Sequence, residues 1–89
     1  MEKINLKKNQ FVVSKSTVDK KLLLKNDGSI HNIGDDFNET FEIFDSLAFA
    51  INHAKKVIQE NPHLECFIKK YDGKTVYFVD KKGGREINE

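Results

Sequence analysis

Residues 44–61, FDSLAFAINHAKKVIQEN, form the one stretch of this chain long and periodic enough to demand a helix. Leu47, Ala50, Ile51, Ala54, Val57 and Ile58 recur at i, i+3, i+4 and i+7, so at about 100° per residue they line up as one apolar stripe. Asp45 or Ser46 is placed to accept from the free amides of the first turn. Pro62, after Asn61, cannot extend the helix and stops it. The spacing predicts a helix over about 46–60 with one face meant for burial, and the flanking segments read as the strands that would cover it.

Downstream, residues 64–71 and 74–80 are β-branched and aromatic runs on either side of Asp72-Gly73. A two-residue Asp-Gly loop sets Tyr71 opposite Lys74, Ile68 opposite Tyr77, Phe67 opposite Phe78 and Cys66 opposite Val79. One face of this hairpin then carries Leu64, Cys66, Ile68, Tyr77 and Val79, and the other carries Phe67, Lys69, Val76 and Phe78. A single helix covers only one of these faces. The second is closed by the N-terminal segment, closed by a partner, or used as a binding surface. Residues 81–89, with Gly83-Gly84, read as a mobile tail.

Upstream, residues 10–15 with Phe11, Val12 and Val13 read as a strand, and residues 20–26 with Leu22, Leu23 and Leu24 as a second, joined by a turn at 16–19. Asn26-Asp27-Gly28-Ser29 is a turn signal, because glycine and its neighbours tolerate positive φ. Residues 29–33 offer a short strand before Gly34, and residues 40–44 another leading into the helix. The expected fold is α+β: an antiparallel sheet of four or five strands with one helix on one face, in the order β-β-(β)-α-β-β. Residues 1–89 make one domain, with 1–9 and 81–89 as tails.

Several of these positions carry a family resemblance. Val12-Val13, Leu24-Lys25, Phe44 with Ser46, Ala50-Ile51 with Ala54, Glu65-Cys66 with Ile68, and Asp72-Gly73-Lys74 together resemble the pattern of a small, uncharacterised bacterial domain family. Its pattern is a Val-Val strand, a strand ending in lysine, Phe-x-Thr/Ser, Ala-Ile-x-x-Ala on a helix, then Glu-Leu-x-Ile and an Asp-Gly-Lys hairpin. The likeness covers residues 11–78 in pieces. Residues 26–39 look like an insertion, and a tryptophan usual in the second strand is missing. The resemblance implies a two-strand, helix, two-strand topology and brings no catalytic residues.

Charged residues make up 33 % of the 89 and hydrophobic ones 38 %, the balance of a folded, water-exposed domain. The N-terminal run is charged without an apolar core of signal-peptide length, and nothing approaches the roughly 20 apolar residues of a membrane span. A cytoplasmic location is expected, with Cys66 a small buried apolar residue in a reducing compartment. Asn38-Glu39-Thr40 matches a glycosylation sequon, which has no use there. The net charge of +1 hides a dipole: residues 1–25 hold seven lysines and 66–85 six basic residues, whereas 26–65 hold eight acids. Such a chain can steer charged partners or associate head to tail, although solvated faces give the same counts.

No set of residues reads as a catalytic centre. His31, His53 and His63 lie in three contexts without metal-ligand spacing, and His63 with Cys66 is only a pair. Gly83-Gly84 lacks the lysine and serine of a phosphate loop. Asp35, Asp36, Asn38 and Glu39 offer oxygen ligands without the spacing of a calcium loop, so no metal or cofactor is expected. The expected function is non-catalytic protein binding, by self-association or by docking on and regulating a larger protein, as in small accessory proteins of phages and mobile elements. The contacts assigned to it are Phe49, Phe67, Val76, Phe78, Asp35 and Asp36. Phe49 lies nearly opposite the buried stripe, where it would anchor a partner, or staple to Phe44 if Asp45 is the N-cap. The alternative is a nucleic-acid interface on the C-terminal hairpin, using Lys69, Lys70, Lys74 and Tyr71.

Overall fold

β3 (Leu64–Lys69) is the axis of the structure, a computed structural model that describes residues 6–87. On one side it pairs with β1 (Phe11–Thr17), on the other with β4 (Thr75–Asp80). β2 (Phe41–Phe44) and β5 (Gly83–Glu86) form the edges of an antiparallel sheet ordered β2-β1-β3-β4-β5. A single 3-10 turn (Phe37–Thr40) leads into β2, and α1 (Leu47–Glu60) joins β2 to β3. No described helix is long and apolar enough to cross a membrane.

Residues directly opposite each other in antiparallel strands share a face. Val13 lies opposite Ile68, Ile68 opposite Tyr77, and Cys66 opposite Val79, so these side chains make one apolar surface. Ala50 and Ala54 of α1 press on it with no exposed area, Ile58 and Leu24 close its ends, and Leu47, Ile51 and Val57 pack along its margins. Each Val, Leu or Ile buried in this way contributes about 1.5–3 kcal/mol. Ser46 is the N-cap: its Oγ accepts from the Phe49 amide at 3.1 Å, while Asp45 accepts from Gln10 Nε2 at 3.2 Å. With Ser46 in that role, Phe44 and Phe49 are out of register for a staple. Phe44 instead packs on the core with its ring 4.9 Å from His53, whose Nε2 lies 2.9 Å from the Glu42 carboxylate.

The hairpin keeps its expected partners Cys66–Val79, Phe67–Phe78 and Ile68–Tyr77, but by a different route. Lys70 N–H donates to Lys74 O at 3.0 Å and Gly73 N–H to Lys70 O at 2.9 Å, which makes Tyr71, Asp72 and Gly73 a three-residue loop with Gly73 at φ +86°. The extra loop residue puts Lys69 opposite Thr75, and a bulge at Val76 restores the pairing. Val76 is thereby turned from the face of Phe67 and Phe78 to pack against the core.

Residues 20–26 do not form the expected second strand. β2 occupies the same edge of β1 over residues 11–14, leaving room only for a Ser16–Leu23 bridge and the bonds Thr17 N–H to Leu22 O and Leu24 N–H to Lys15 O, both 3.0 Å. Residues 29–33 are likewise reduced to one Leu24–Ile30 bridge. The Asn26–Ser29 turn forms as read, with Gly28 at φ +94° and Asp27 accepting from the Ser29 amide at 2.9 Å. Of the expected tails, residues 1–5 and 88–89 lie outside the described residues, and residues 83–86 are β5 rather than a free end.

β5 holds its place partly because Gly84 has no side chain: a Cβ there would sit 2.6 Å from Cε1 and 2.7 Å from the hydroxyl of Tyr77, whose ring covers the glycine. Gly84→Ala is expected to destabilise the fold by about 1–3 kcal/mol, as overpacking does. Urea denaturation should show the loss shrinking when Tyr77 is first replaced by leucine.

Candidate interaction surface

The sheet face turned away from α1 carries a continuous row set by pairing alone. Phe41 lies opposite Ser14, Ser14 opposite Phe67, Phe67 opposite Phe78, and Phe78 opposite Arg85. The Phe67 and Phe78 rings meet at 5.2 Å with a 58° tilt, and the Arg85 guanidinium carbon stands 4.8 Å from the Phe78 centroid. At the other end Phe37 of the 3-10 turn closes over Phe41 at 5.7 Å, with His31 edge-on to Phe37 at 6.4 Å. The row is thus capped at both ends by its own chain, and Phe67 and Phe78 are left half-buried between the caps.

The rows on either side differ in character. One runs Ile43, Val12, Lys69, with Ile43 exposed and Val12 buried. The other places Ser16 opposite Glu65, a carboxylate only 4 % exposed. A buried carboxylate needs partners, and this one has three contacts: Ser16 Oγ donates at 3.3 Å, and Lys21 Nζ reaches both oxygens at 2.9 and 3.0 Å. Lys21 stands at φ +56°, among the described residues the one non-glycine in left-handed backbone.

The expected binding residues do not form a single patch. Phe67 and Phe78 share the open face, Val76 has left it, and Phe49, 65 % exposed, is on the helix packed against the other face. Asp35 and Asp36 are used within their own segment. Asp35 accepts from the Asn32 amide at 3.0 Å and from Lys25 Nζ at 3.2 Å, and Asp36 caps the 3-10 turn by accepting from the Asn38 amide at 2.9 Å. The Asn32 amide first, then Lys25, holds the Asp35 carboxyl below its ordinary range, and the bond to Asp35 raises the Lys25 ammonium.

Of the alternative set, Lys69 lies on the open face opposite Val12. Lys70 is 3.6 Å from the Asp72 carboxylate in the hairpin loop, where Tyr71 and Lys74 are exposed at the tip. The Lys74 amide, with the charges of Lys70 and Lys74 behind it, lowers Asp72. Arg85 is one of the six basic residues counted over 66–85, but the strand that carries it lies in a stretch without hydrophobic periodicity. Its signal is Asp80-Lys-Lys-Gly83, a two-residue loop followed by a glycine at φ +117° that pairs Asp80 with Gly83.

Among the described residues no three His, Cys, Asp or Glu side chains gather as a metal site. His63 is exposed, whereas Cys66 points its thiol into the core, 3.9 Å from Ala54 O. A void of about 10 Å³ between Val13, Glu42, His53 and Cys66 is at the limit for a single water. The chain matches no protein-family model, no curated protein and no solved structure. The likeness described above therefore rests on its motifs alone, of which the helix between strands and the Asp-Gly-Lys hairpin are present in the fold.

Two outcomes follow from these buried groups. Burial pushes the Cys66 thiol from 9.0 up to about 12, so the folded chain holds its proton where the unfolded chain releases it. That contribution to stability is complete below about pH 9 and is lost as pH rises toward 12. At pH 8 a maleimide should react with Cys66 only as fast as the chain opens, and a native thiol labelled as fast as a free peptide would contradict the burial. Lys21→Met should destabilise the fold by about 1–3 kcal/mol by leaving Glu65 short of a partner, and Glu65→Gln in the Lys21→Met chain should recover part of the loss in thermal melts.

Proposed function

We propose that this chain is a non-catalytic docking module that binds a larger protein through the open sheet face, with Phe67 and Phe78 as anchors. The observation that carries the reading is the half-buried aromatic pair at the centre of the face that α1 does not cover, shielded on its outer side by one arginine. Aromatic and arginine side chains dominate binding hot spots, because they bury much area with few rotors and because arginine can bond while stacked. The flanking Ile43, exposed on the same face, extends the contact toward β2. A cytoplasmic setting and a bacterial origin belong to the same reading; the one buried, free cysteine and the family likeness support them.

Lys69 and Arg85 stand on that face beside stackable rings, which favours single-stranded nucleic acid as a second reading. The test is capture with the tagged protein from lysate of its own source, with and without nuclease. A stoichiometric protein band that survives nuclease supports docking. Phe67→Ser with Phe78→Ser should cut capture at least tenfold while the far-UV spectrum stays folded, and unfolding of this variant would show that the pair is core. Retained nucleic acid, released steeply by salt and weakened by Lys69→Ala, would put the second reading first.

A further inference from the structure

We propose that the free edge of β5 receives an extended acidic segment of a partner protein, which adds to the sheet as a further strand with a carboxylate opposite Arg85. β5 is the outer strand beside β4, and all of its residues are exposed. Antiparallel pairing alternates the direction in which successive backbone groups point. Asp80 pairs with Gly83, Phe78 pairs with Arg85, and Ile87 N–H donates to Val76 O at 3.0 Å. Gly83, Arg85 and Ile87 therefore turn their amides and carbonyls toward β4, whereas Gly84 and Glu86 turn theirs outward. An edge of this kind is a template for another strand. The opposite edge of the sheet is less open, because Phe41 O in β2 already accepts from Asn26 Nδ2 at 2.9 Å.

The side chains around this edge select the occupant. Gly84 leaves bare backbone with the Tyr77 hydroxyl over it on the helix side, so a short hydroxyl side chain fits opposite the glycine. On the open side the Arg85 guanidinium is stacked on Phe78, and among the described residues it has no carboxylate within ion-pair distance. A stacked guanidinium still presents its edge to a carboxylate as a two-bond donor. Lys81 and Lys82 are exposed in the adjoining loop. Against these cations stand Glu86, on the helix side opposite Tyr77, and Asp80, whose carboxylate accepts from the Lys82 amide at 2.9 Å. A second copy fits poorly: the register that sets Gly84 against Glu86, and so uses every outward group, puts Arg85 opposite Arg85. The edge takes the docking reading further, since Arg85 ends the aromatic row, but it makes no use of Phe67.

The probe is the N-acetylated, C-amidated peptide Ser-Val-Thr-Asp-Thr-Val-Ser, whose sequence is the same read in either direction. It is titrated into the isotope-labelled full chain to about 5 mM, the affinity range of a few edge bonds. Amide chemical shifts should move at residues 83–86, and hydrogen exchange should slow at Gly84 and Glu86 more than at Arg85, whose amide already faces β4. Replacing the peptide's aspartate by lysine should weaken binding roughly tenfold, and Arg85→Glu should invert that preference. Glu86→Pro should abolish binding by removing an outward donor that β4 does not use. Shifts confined to other residues, equal binding of the lysine peptide, or no shift at all would each overturn the proposal. Peptide bound at β5 with no protein captured from lysate would count against the docking reading alone. Capture that persists in Arg85→Glu while the peptide fails to bind would count against the edge alone.

Discussion

The fold depends on how closely α1 can approach β3. Ala50 and Ala54 leave no exposed surface where they meet the sheet, and Cys66 and Ile68 beneath them leave none either. Small side chains on the helix let its backbone come near enough for the Cys66 thiol to lie 3.9 Å from the Ala54 carbonyl. Interiors are packed so tightly that a larger residue at either alanine would lift the helix instead of being absorbed. Since α1 reaches every one of the five strands, lifting it at the centre would uncover Val13, Val79 and Leu24 together.

What could be read from the sequence is what periodicity encodes. The i, i+3, i+4 stripe of α1 and the alternation of β3 were legible because each buries one face. The hairpin partners were legible as well, yet the Asp-Gly pair that pointed to them serves a three-residue loop as readily as a two-residue one. One loop residue more and one bulge residue more cancel, so the pairs Cys66–Val79, Phe67–Phe78 and Ile68–Tyr77 agree, whereas Tyr71 no longer faces Lys74, Lys69 faces Thr75 and Val76 changes face. Local propensity misled at Leu22-Leu23-Leu24, because a triplet of leucines reads as a strand whether or not an edge is free, and β2 had taken most of that edge. β5, Gly-Gly-Arg-Glu, has no apolar alternation at all. Its place comes from pairing with β4 and from the Tyr77 ring over Gly84, neither of which leaves a periodic trace.

The site was legible to a similar degree. Alternation alone put Phe67 and Phe78 together on the face without the helix, and the structure adds Arg85 across the sheet. Phe49 was readable as exposed, but only the three-dimensional arrangement sets it on the other side of the molecule from that pair. The acidic residues were readable as a cluster, and their use in bonds to Lys25, Asn32 and Asn38 was not, because those partners are chosen by the path of the chain.

The position of β1 within the sheet bears on how the chain is made. β1 is the first strand in sequence, yet it lies between β2 and β3, and its long pairing joins Val12 to Lys69 and Thr17 to Leu64. Contacts so far apart in sequence form late, because the intervening chain must first be ordered. On a ribosome β1 emerges before β2 and β3, the two strands it pairs with, so both of its edges wait for chain still to come. The local β3–β4 hairpin and α1 can assemble only once the second half of the chain has followed. During that interval the leading strand is the part most open to pairing with other nascent chains, and a chaperone that shields extended apolar segments would act there.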